Sequence, residues 1–232
     1  MREGVALDRL RSTARKAIGD DMTSRRDLLA SVAGAATLAF GRRSEAGLAP
    51  TPSQPAGPFY PLTVPAHPGN DLLRVAGRTE RAKGIVAYVG GRIFDRAGRP
   101  VSGARVEIWQ CDANGRYHNV DDGGDDRPLD QNFQGFGRTV TDAAGGYRFR
   151  TIRPVPYPGR TPHIHFIVSA SGLPRFVTQM YVAGEPRNRR DGLLMSIGDA
   201  AARARLIVAL RPAPQIEANA LAGTFDIVLS RG

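Results

Sequence analysis

The chain of 232 residues has a single cysteine, Cys111, so it can close no internal disulfide and build no cysteine-based zinc site. Any metal must then be held by His, Asp, Glu or Tyr. Lysine is nearly absent: Lys16 and Lys83 are the only two, and arginine carries the net charge of +10. Residues 1–49 hold nine Lys and Arg against six Asp and Glu, which leaves +7 for the rest. The arginines are scattered, with Arg187, Arg189 and Arg190 the densest group, whereas a nucleic-acid surface concentrates its cations. We expect no nucleic-acid partner, and an acidic small substrate fits the charge better. Neither a Gly-x-Ser-x-Gly nucleophile turn nor a phosphate loop occurs. Long apolar runs are also missing, and Ala30 to Phe40 is too short for an ordinary transmembrane helix.

That short run follows Ser24-Arg25-Arg26-Asp27-Leu28-Leu29. An arginine pair before such a run reads as a twin-arginine export signal; the alternative is a surface helix with a basic start. The reading assigns residues 1–49 to signal and linker and residues 50–232 to the folded domain. Gly47-Leu48-Ala49 offers small residues for cleavage, and Met22 is a second candidate initiator. Export implies a periplasmic location, with the membrane involved only through the signal. Without the signal the protein would be cytoplasmic.

Glycine and proline are abundant, at 27 and 17 residues, which predicts many turns and few long helices. Thr51 to Pro68 is proline-rich and reads as an extended arm over a surface. Strands are expected at Gly84 to Val89, Arg92 to Phe94, Ala104 to Trp109 and Val140 to Phe149 with a turn inside. Further strands are expected at His163 to Ser169, Phe176 to Val182 and Phe225 to Leu229. One minor helix is expected near residues 199–210, which are Ala-rich with apolar spacing. The fold class is all-β: a β-sandwich core of mixed short strands with long loops.

In an extended strand His163 and His165 share one face and Ile164 and Phe166 the other. Two imidazoles so placed can bind one metal ion, or can be hydrogen-bonded histidines on a polar face. The pair alone does not decide. Tyr157 stands six residues ahead, and Tyr117 follows the strand that ends Trp109-Gln110.

The ordered set of blocks is more specific. It comprises Val106-Glu107-Ile108-Trp109-Gln110 with Asn114-Gly115-Arg116-Tyr117, and Asp130-Gln131-Asn132-Phe133 with Gly137-Arg138. It continues with Thr141-Asp142, Tyr147 to Ile152, Pro156-Tyr157-Pro158 and Pro162 to Phe166. Thr51 to Gln54 with Gly57 to Pro61 forms the leading segment. In these blocks the chain, from about Thr51 onward, resembles the intradiol ring-cleavage dioxygenases. This is the non-haem ferric family that includes protocatechuate 3,4-dioxygenase and catechol 1,2-dioxygenase.

The resemblance implies that non-haem Fe(III) is held by Tyr117, Tyr157, His163 and His165. It implies that Tyr157 leaves the metal and acts as a base when substrate arrives, that Arg160 faces the bound ring, and that Gln179 stands beside it. Phenolate is a hard donor suited to ferric iron, so such a site activates the organic substrate. The implied reaction inserts both atoms of O2 into a catechol-type aromatic diol and yields a cis,cis-muconate-type product. Family members are often homo-oligomers or mixed-subunit assemblies, and a homo-oligomer is compatible with this chain. The loop from Tyr157 to His163 is shorter than in protocatechuate dioxygenase subunits, and Gly159 stands where the family often has a tryptophan. That bears on the pocket wall, on where Arg160 sits and on which diol is bound. The alternatives are an inactive relative that keeps the metal, or a non-catalytic β-sandwich binding module. The latter shares the pattern Gly98-x-Pro100-x-x-Gly103-Ala104-x-Val106 but lacks the two tyrosines.

Other residues read as structural. Asp121, Asp122, Asp125 and Asp126 form a solvated acidic loop that fits no EF-hand spacing. His67 and His118 are expected at the surface, and Trp109 and Tyr147 in the core. Cys111 has no histidine beside it and is not expected to be a nucleophile.

Overall fold

The computed structural model describes residues 47–66, 68–118 and 126–230. The twin-arginine segment, His67, Asp121, Asp122 and Asp125 lie outside the described residues. Six longer strands come first in the chain: β1 (Val86–Asp95), β2 (Arg105–Trp109), β3 (Phe136–Val140), β4 (Gly146–Ile152), β5 (His163–Ser169) and β6 (Phe176–Val182). A 3-10 turn (Pro186–Arg190) and two short helices follow, α1 (Gly192–Met195) and α2 (Ala200–Ala204). Four short strands complete the described chain: β7 (Ile207–Val208), β8 (Arg211–Pro212), β9 (Leu221–Thr224) and β10 (Ile227–Leu229). Among the described residues no helix is long and apolar enough to cross a membrane.

The strands form two five-stranded sheets. One has the order β10-β1-β9-β8, with β4 also paired to β1; the other has the order β3-β2-β5-β6-β7. Both combine antiparallel with parallel pairs. Val89, Ile93 and Phe149 of the first sheet pack with Ile108, Ile164, Phe166 and Met180 of the second in one buried core. This is the sandwich that short alternating strands demand, since each sheet must bury one apolar face.

Several expectations change. β3 ends at Val140, where a strand was expected to begin. The pieces at Gly84 to Val89 and Arg92 to Phe94 are one strand, paired without a break from Val86↔Ile152 to Arg92↔Gly146. The helix expected near 199–210 shrinks to Ala200–Ala204, capped by the Asp199 side chain on the Ala201 N–H. Leu206 and Val208, inside the expected span, are buried outside any helix. Ile207 and Val208 join Tyr181 and Val182 in a parallel ladder, and this sheet pairing displaces a helix too short to be stable alone.

A charge cluster ties the connection before β1 to the first sheet. Arg150 of β4 donates to both carboxylate oxygens of Glu217 at 2.8 and 2.9 Å. It also reaches both oxygens of Asp71 at 3.2 Å. Tyr88 and Arg81 each donate to Glu217 at 2.9 Å. The hydrogen bonds from Arg150 lead the effects that hold the Glu217 carboxyl at about 2, below its ordinary 4.5. A carboxyl lowered on folding contributes stability above its unfolded value and loses it as pH falls through the folded one. We therefore expect Glu217→Gln to be less stable than wild type at pH 7, with the gap closing between about pH 4.5 and pH 2. Urea midpoints across that range check this; a gap independent of pH would contradict it.

Candidate functional site

The central strand β5 is buried on both faces. Ile164, Phe166 and Val168 enter the main core, while His163, His165 and Ile167 point the other way. Register places Trp109 of β2 and Gln179 of β6 on either side of His165, and Tyr181 beside His163. Paired residues share a face, so one sheet face carries two imidazoles, an indole, an amide and a phenol. The proline-rich arm covers that face. Its Gln54 N–H bonds to the Val177 carbonyl at 2.9 Å, and Gln179 donates to the Pro55 carbonyl at 2.8 Å. Phe59, Tyr60 and Val64 then pack with Trp109, Cys111, Tyr117, Phe136 and Ile167 in a second, smaller core.

Tyr117 arrives on the loop after β2. Asp112, fully buried, folds that loop by accepting from the N–H groups of Asn114, Arg116 and Asp130 at 2.7–3.0 Å. Burial alone would raise the Asp112 carboxyl, but His118 and these N–H groups outweigh it and the group is held below its ordinary value. Gly115 lets the loop meet the next one. It sits at φ +76°, and a Cβ there would stand 3.1 Å from the Pro156 carbonyl oxygen. His118 is not the surface residue expected. It lies in a bend after Tyr117, with its Nε2 buried 3.7 Å from Asp112 and its ring edge toward Phe133.

Tyr157 opens a four-residue turn. The Arg160 N–H donates to the Tyr157 carbonyl at 3.0 Å, with Pro158 second and Gly159 third at φ +80°. Proline followed by a positive-φ glycine is the pattern of a type II turn. A tryptophan at position 159 would be strained there, so glycine suits the short loop. The turn also places Arg160, with its guanidinium 3.5 Å from the Tyr157 hydroxyl. The same guanidinium donates to Gln179 Oε1 at 2.6 Å, the Tyr181 hydroxyl at 3.3 Å and Asp191 at 2.8 Å.

The four sequence-predicted ligands thus come together, and Arg160 and Gln179 join them. The Tyr117 and Tyr157 rings meet edge to face at 5.5 Å. Tyr157 stands 5.5 Å from His163, and Tyr117 6.3 Å from His165. The two imidazole Nε2 atoms face each other at 3.1 Å. His163 Nδ1 is 2.7 Å from the Thr161 carbonyl, so it carries the proton and leaves Nε2 as a lone pair. Trp109 is a core residue, as expected, and its indole stacks on His165 at 4.6 Å and 8°. Phe59 stacks on Tyr117 at 4.5 Å. Tyr147 is likewise buried, with its hydroxyl donating to the Phe225 carbonyl.

Burial dominates the electrostatics. It pushes Tyr117 well above the ordinary phenol value, helped by Cys111 and Tyr157. It raises Tyr157 too, although Arg160 acts against it. It lowers His163 to about 4, with Arg160 adding to the effect, and takes His165 well below its ordinary value. Cys111 is pushed up to about 12, chiefly by burial, which agrees with its expected inertness. At neutral pH the cluster therefore holds two neutral phenols and two neutral imidazoles beside one guanidinium.

Three residues were missed by sequence reasoning as site members: Asp191, Tyr181 and Gln54. The buried Tyr181 hydroxyl donates to Gln54 at 3.0 Å and lies 3.1 Å from Gln179 Oε1. Asp191 stands 31 residues beyond Arg160. Its only local signal was a helix-capping aspartate before Gly192-Leu193-Leu194.

A family model described as "Dioxygenase" (Dioxygenase_C) matches residues 56–231. The beta chain of protocatechuate 3,4-dioxygenase from Burkholderia cepacia is 43% identical over 169 residues, 69% of this chain and 71% of the relative. Hydroxyquinol 1,2-dioxygenase from Corynebacterium glutamicum is 33% identical over 189 residues, 73% of this chain and 58% of the relative. Among solved structures, the dioxygenase domain of a dioxygenase–carbohydrate-binding fusion from Streptomyces sp. SirexAA-E superposes with a TM-score of 0.61 at 34% identity. That match covers 79% of this chain and 100% of the other. Catechol 1,2-dioxygenase from Acinetobacter sp. ADP1 gives 0.59 at 28% identity, covering 78% of this chain and 63% of the other. The order of the sequence blocks, the two-sheet fold and these matches agree: the chain belongs to the intradiol ring-cleavage dioxygenase family.

Proposed function

We propose that this protein is a non-haem Fe(III) intradiol dioxygenase that takes a catechol-type aromatic diol and O2. It cleaves the ring between the hydroxyl-bearing carbons to a cis,cis-muconate-type diacid. The observation that carries the reading is the convergence of Tyr117, Tyr157, His163 and His165 on one buried sheet face. Among the described residues no group of three or more His, Cys, Asp or Glu comes together, so a metal here must draw on the tyrosine oxygens. The donor set suits a hard trivalent cation. Both phenols are held neutral chiefly by burial, and a cation between them would convert that penalty into attraction. The His165 Nδ1 is a buried polar atom without a hydrogen-bond partner, which marks a polar cluster incomplete as protein alone.

Bound ferric iron would supply the Lewis acidity that draws both diol oxygens in as anions and primes the ring for O2. The chain's own residues do the rest. Tyr117 is fully buried under Phe59 and serves as the fixed phenolate. Tyr157 is only half buried, on a short turn, and would hold the metal as the more mobile phenolate, able to move aside and take a proton from the entering diol. Arg160, 3.5 Å from its oxygen, eases that departure and stabilises negative charge developing on the ring. Gln179 and Tyr181 fix the guanidinium. Trp109 and the arm's Phe59 and Tyr60 keep bulk water from the metal side.

The names of the relatives favour protocatechuate, hydroxyquinol and catechol as the first diols to test. We further propose export by the twin-arginine route, on the pattern Ser24 to Leu29. The test of function is the visible absorption spectrum of the purified chain before and after anaerobic protocatechuate or catechol. A broad tyrosinate-to-iron band that shifts with the diol is expected. A colourless protein despite full ferric loading would overturn the roles of Tyr117 and Tyr157.

A further inference from the structure

Arg160 needs something to hold it. Its Nη atoms spread over Gln179, Tyr181 and Tyr157, none of them a carboxylate, at 2.6–3.5 Å. Its Nε donates at 2.8 Å to the Asp191 carboxylate, whose side chain is 0% exposed. That carboxylate is itself fixed on every side. The oxygen that takes Arg160 also accepts from the Thr161 N–H at 3.0 Å, and the other accepts from the Leu194 N–H at 3.0 Å as the cap of α1. Leu194 anchors α1 in the main core. The neighbouring Leu193 carbonyl accepts from Gln54 at 3.3 Å, and Gln54 reaches Tyr181 at 3.0 Å. The guanidinium is thus gripped from the Nε side by a charge set in rigid structure, and its Nη side is left to face the phenol and the ring position.

We propose that Asp191 is a positioning residue for the ring-cleavage reaction, acting through Arg160. The inference rests on the reading of the site given above. A buried guanidinium without its counter-charge would relax toward solvent or other acceptors, and a displacement of about 1 Å in such a group can cost on the order of a hundredfold in rate. The partners of the Asp191 carboxylate are Arg160 and the Thr161 and Leu194 N–H groups, so its part is to set where the charge of Arg160 stands.

The test is a double-mutant cycle on the iron-loaded enzyme. Asp191→Ser keeps a capping oxygen for Leu194 but brings no carboxylate to Arg160. Asp191→Asn is a second, isosteric variant should the serine fold poorly. Each is measured alone and with Arg160→Ala, for iron content, anaerobic diol-complex spectrum, kcat and KM. The expected result is a full iron complement and an unshifted metal band without diol. With diol, the band should shift and kcat should fall roughly tenfold to a hundredfold, with KM moving less. The double variant should lie within about twofold of Arg160→Ala alone. Multiplying losses, or wild-type kcat in both single variants, would overturn the role of Asp191 while leaving the function standing. A wild-type chain that turns over no diol would instead overturn the function itself.

Discussion

His165→Ala should yield a folded protein that has lost its iron and its colour, with kcat/KM down by roughly three orders of magnitude, ~4 kcal/mol. The argument starts from burial. His165 is 1% exposed, lies in the middle of β5, and presents an Nε2 that meets only the facing Nε2 of His163. Removing one of four donors leaves two phenols that burial holds neutral and one imidazole, a set too weak to keep a hydrated trivalent ion desolvated. His163→Ala should behave alike. Elemental analysis of both variants, beside thermal unfolding to show that they fold, decides the matter. Full iron in either one would place the metal elsewhere.

Tyr157→Phe should keep the fold, lose part of the visible band and slow diol binding, with kcat/KM lower by on the order of a hundred- to a thousandfold. The hydroxyl it removes is one proton acceptor and the neighbour of Arg160 at 3.5 Å. Its ring is half buried, so phenylalanine fits without strain and the loss is chemical. Tyr117→Phe is the contrast. That phenol is fully buried and has no route out, so its loss should weaken iron retention more than diol entry. Stopped-flow absorbance with anaerobic catechol separates the two. Unchanged colour and rate in Tyr157→Phe would refute its role.

Much of this was legible in the chain. The alternation in His163 to Ser169 placed both histidines on one face, and the structure keeps them there because β5 is covered on both sides. The longer strands were readable from their apolar and alternating runs and from the Gly and Pro turns between them. The helix near 199–210 is shorter than its Ala-rich composition suggests because Ile207 and Val208 gain a ladder on β6 that no local pattern contains. His118 was misread because the surface expectation assumed a strand, and the loop bends instead around Asp112. Asp191, Tyr181 and Gln54 carry no local mark of function. Their roles arise from hydrogen bonds spanning 31, 21 and 127 positions, which no window along the sequence can contain.

The arm is where time enters. Gln54 and Pro55 leave the ribosome before any strand of either sheet, yet their partners on β6, Val177, Gln179 and Tyr181, lie more than a hundred positions later. Closing so long a loop is entropically unfavourable until the sheet that receives it exists. The segment made early therefore docks late, as a strap drawn over a finished sheet. Until it docks, the sheet face bearing both histidines stays open to solvent. On the proposed reading of the site, a metal ion would reach those histidines most easily in that interval, so the order of assembly would bear on how the centre is filled.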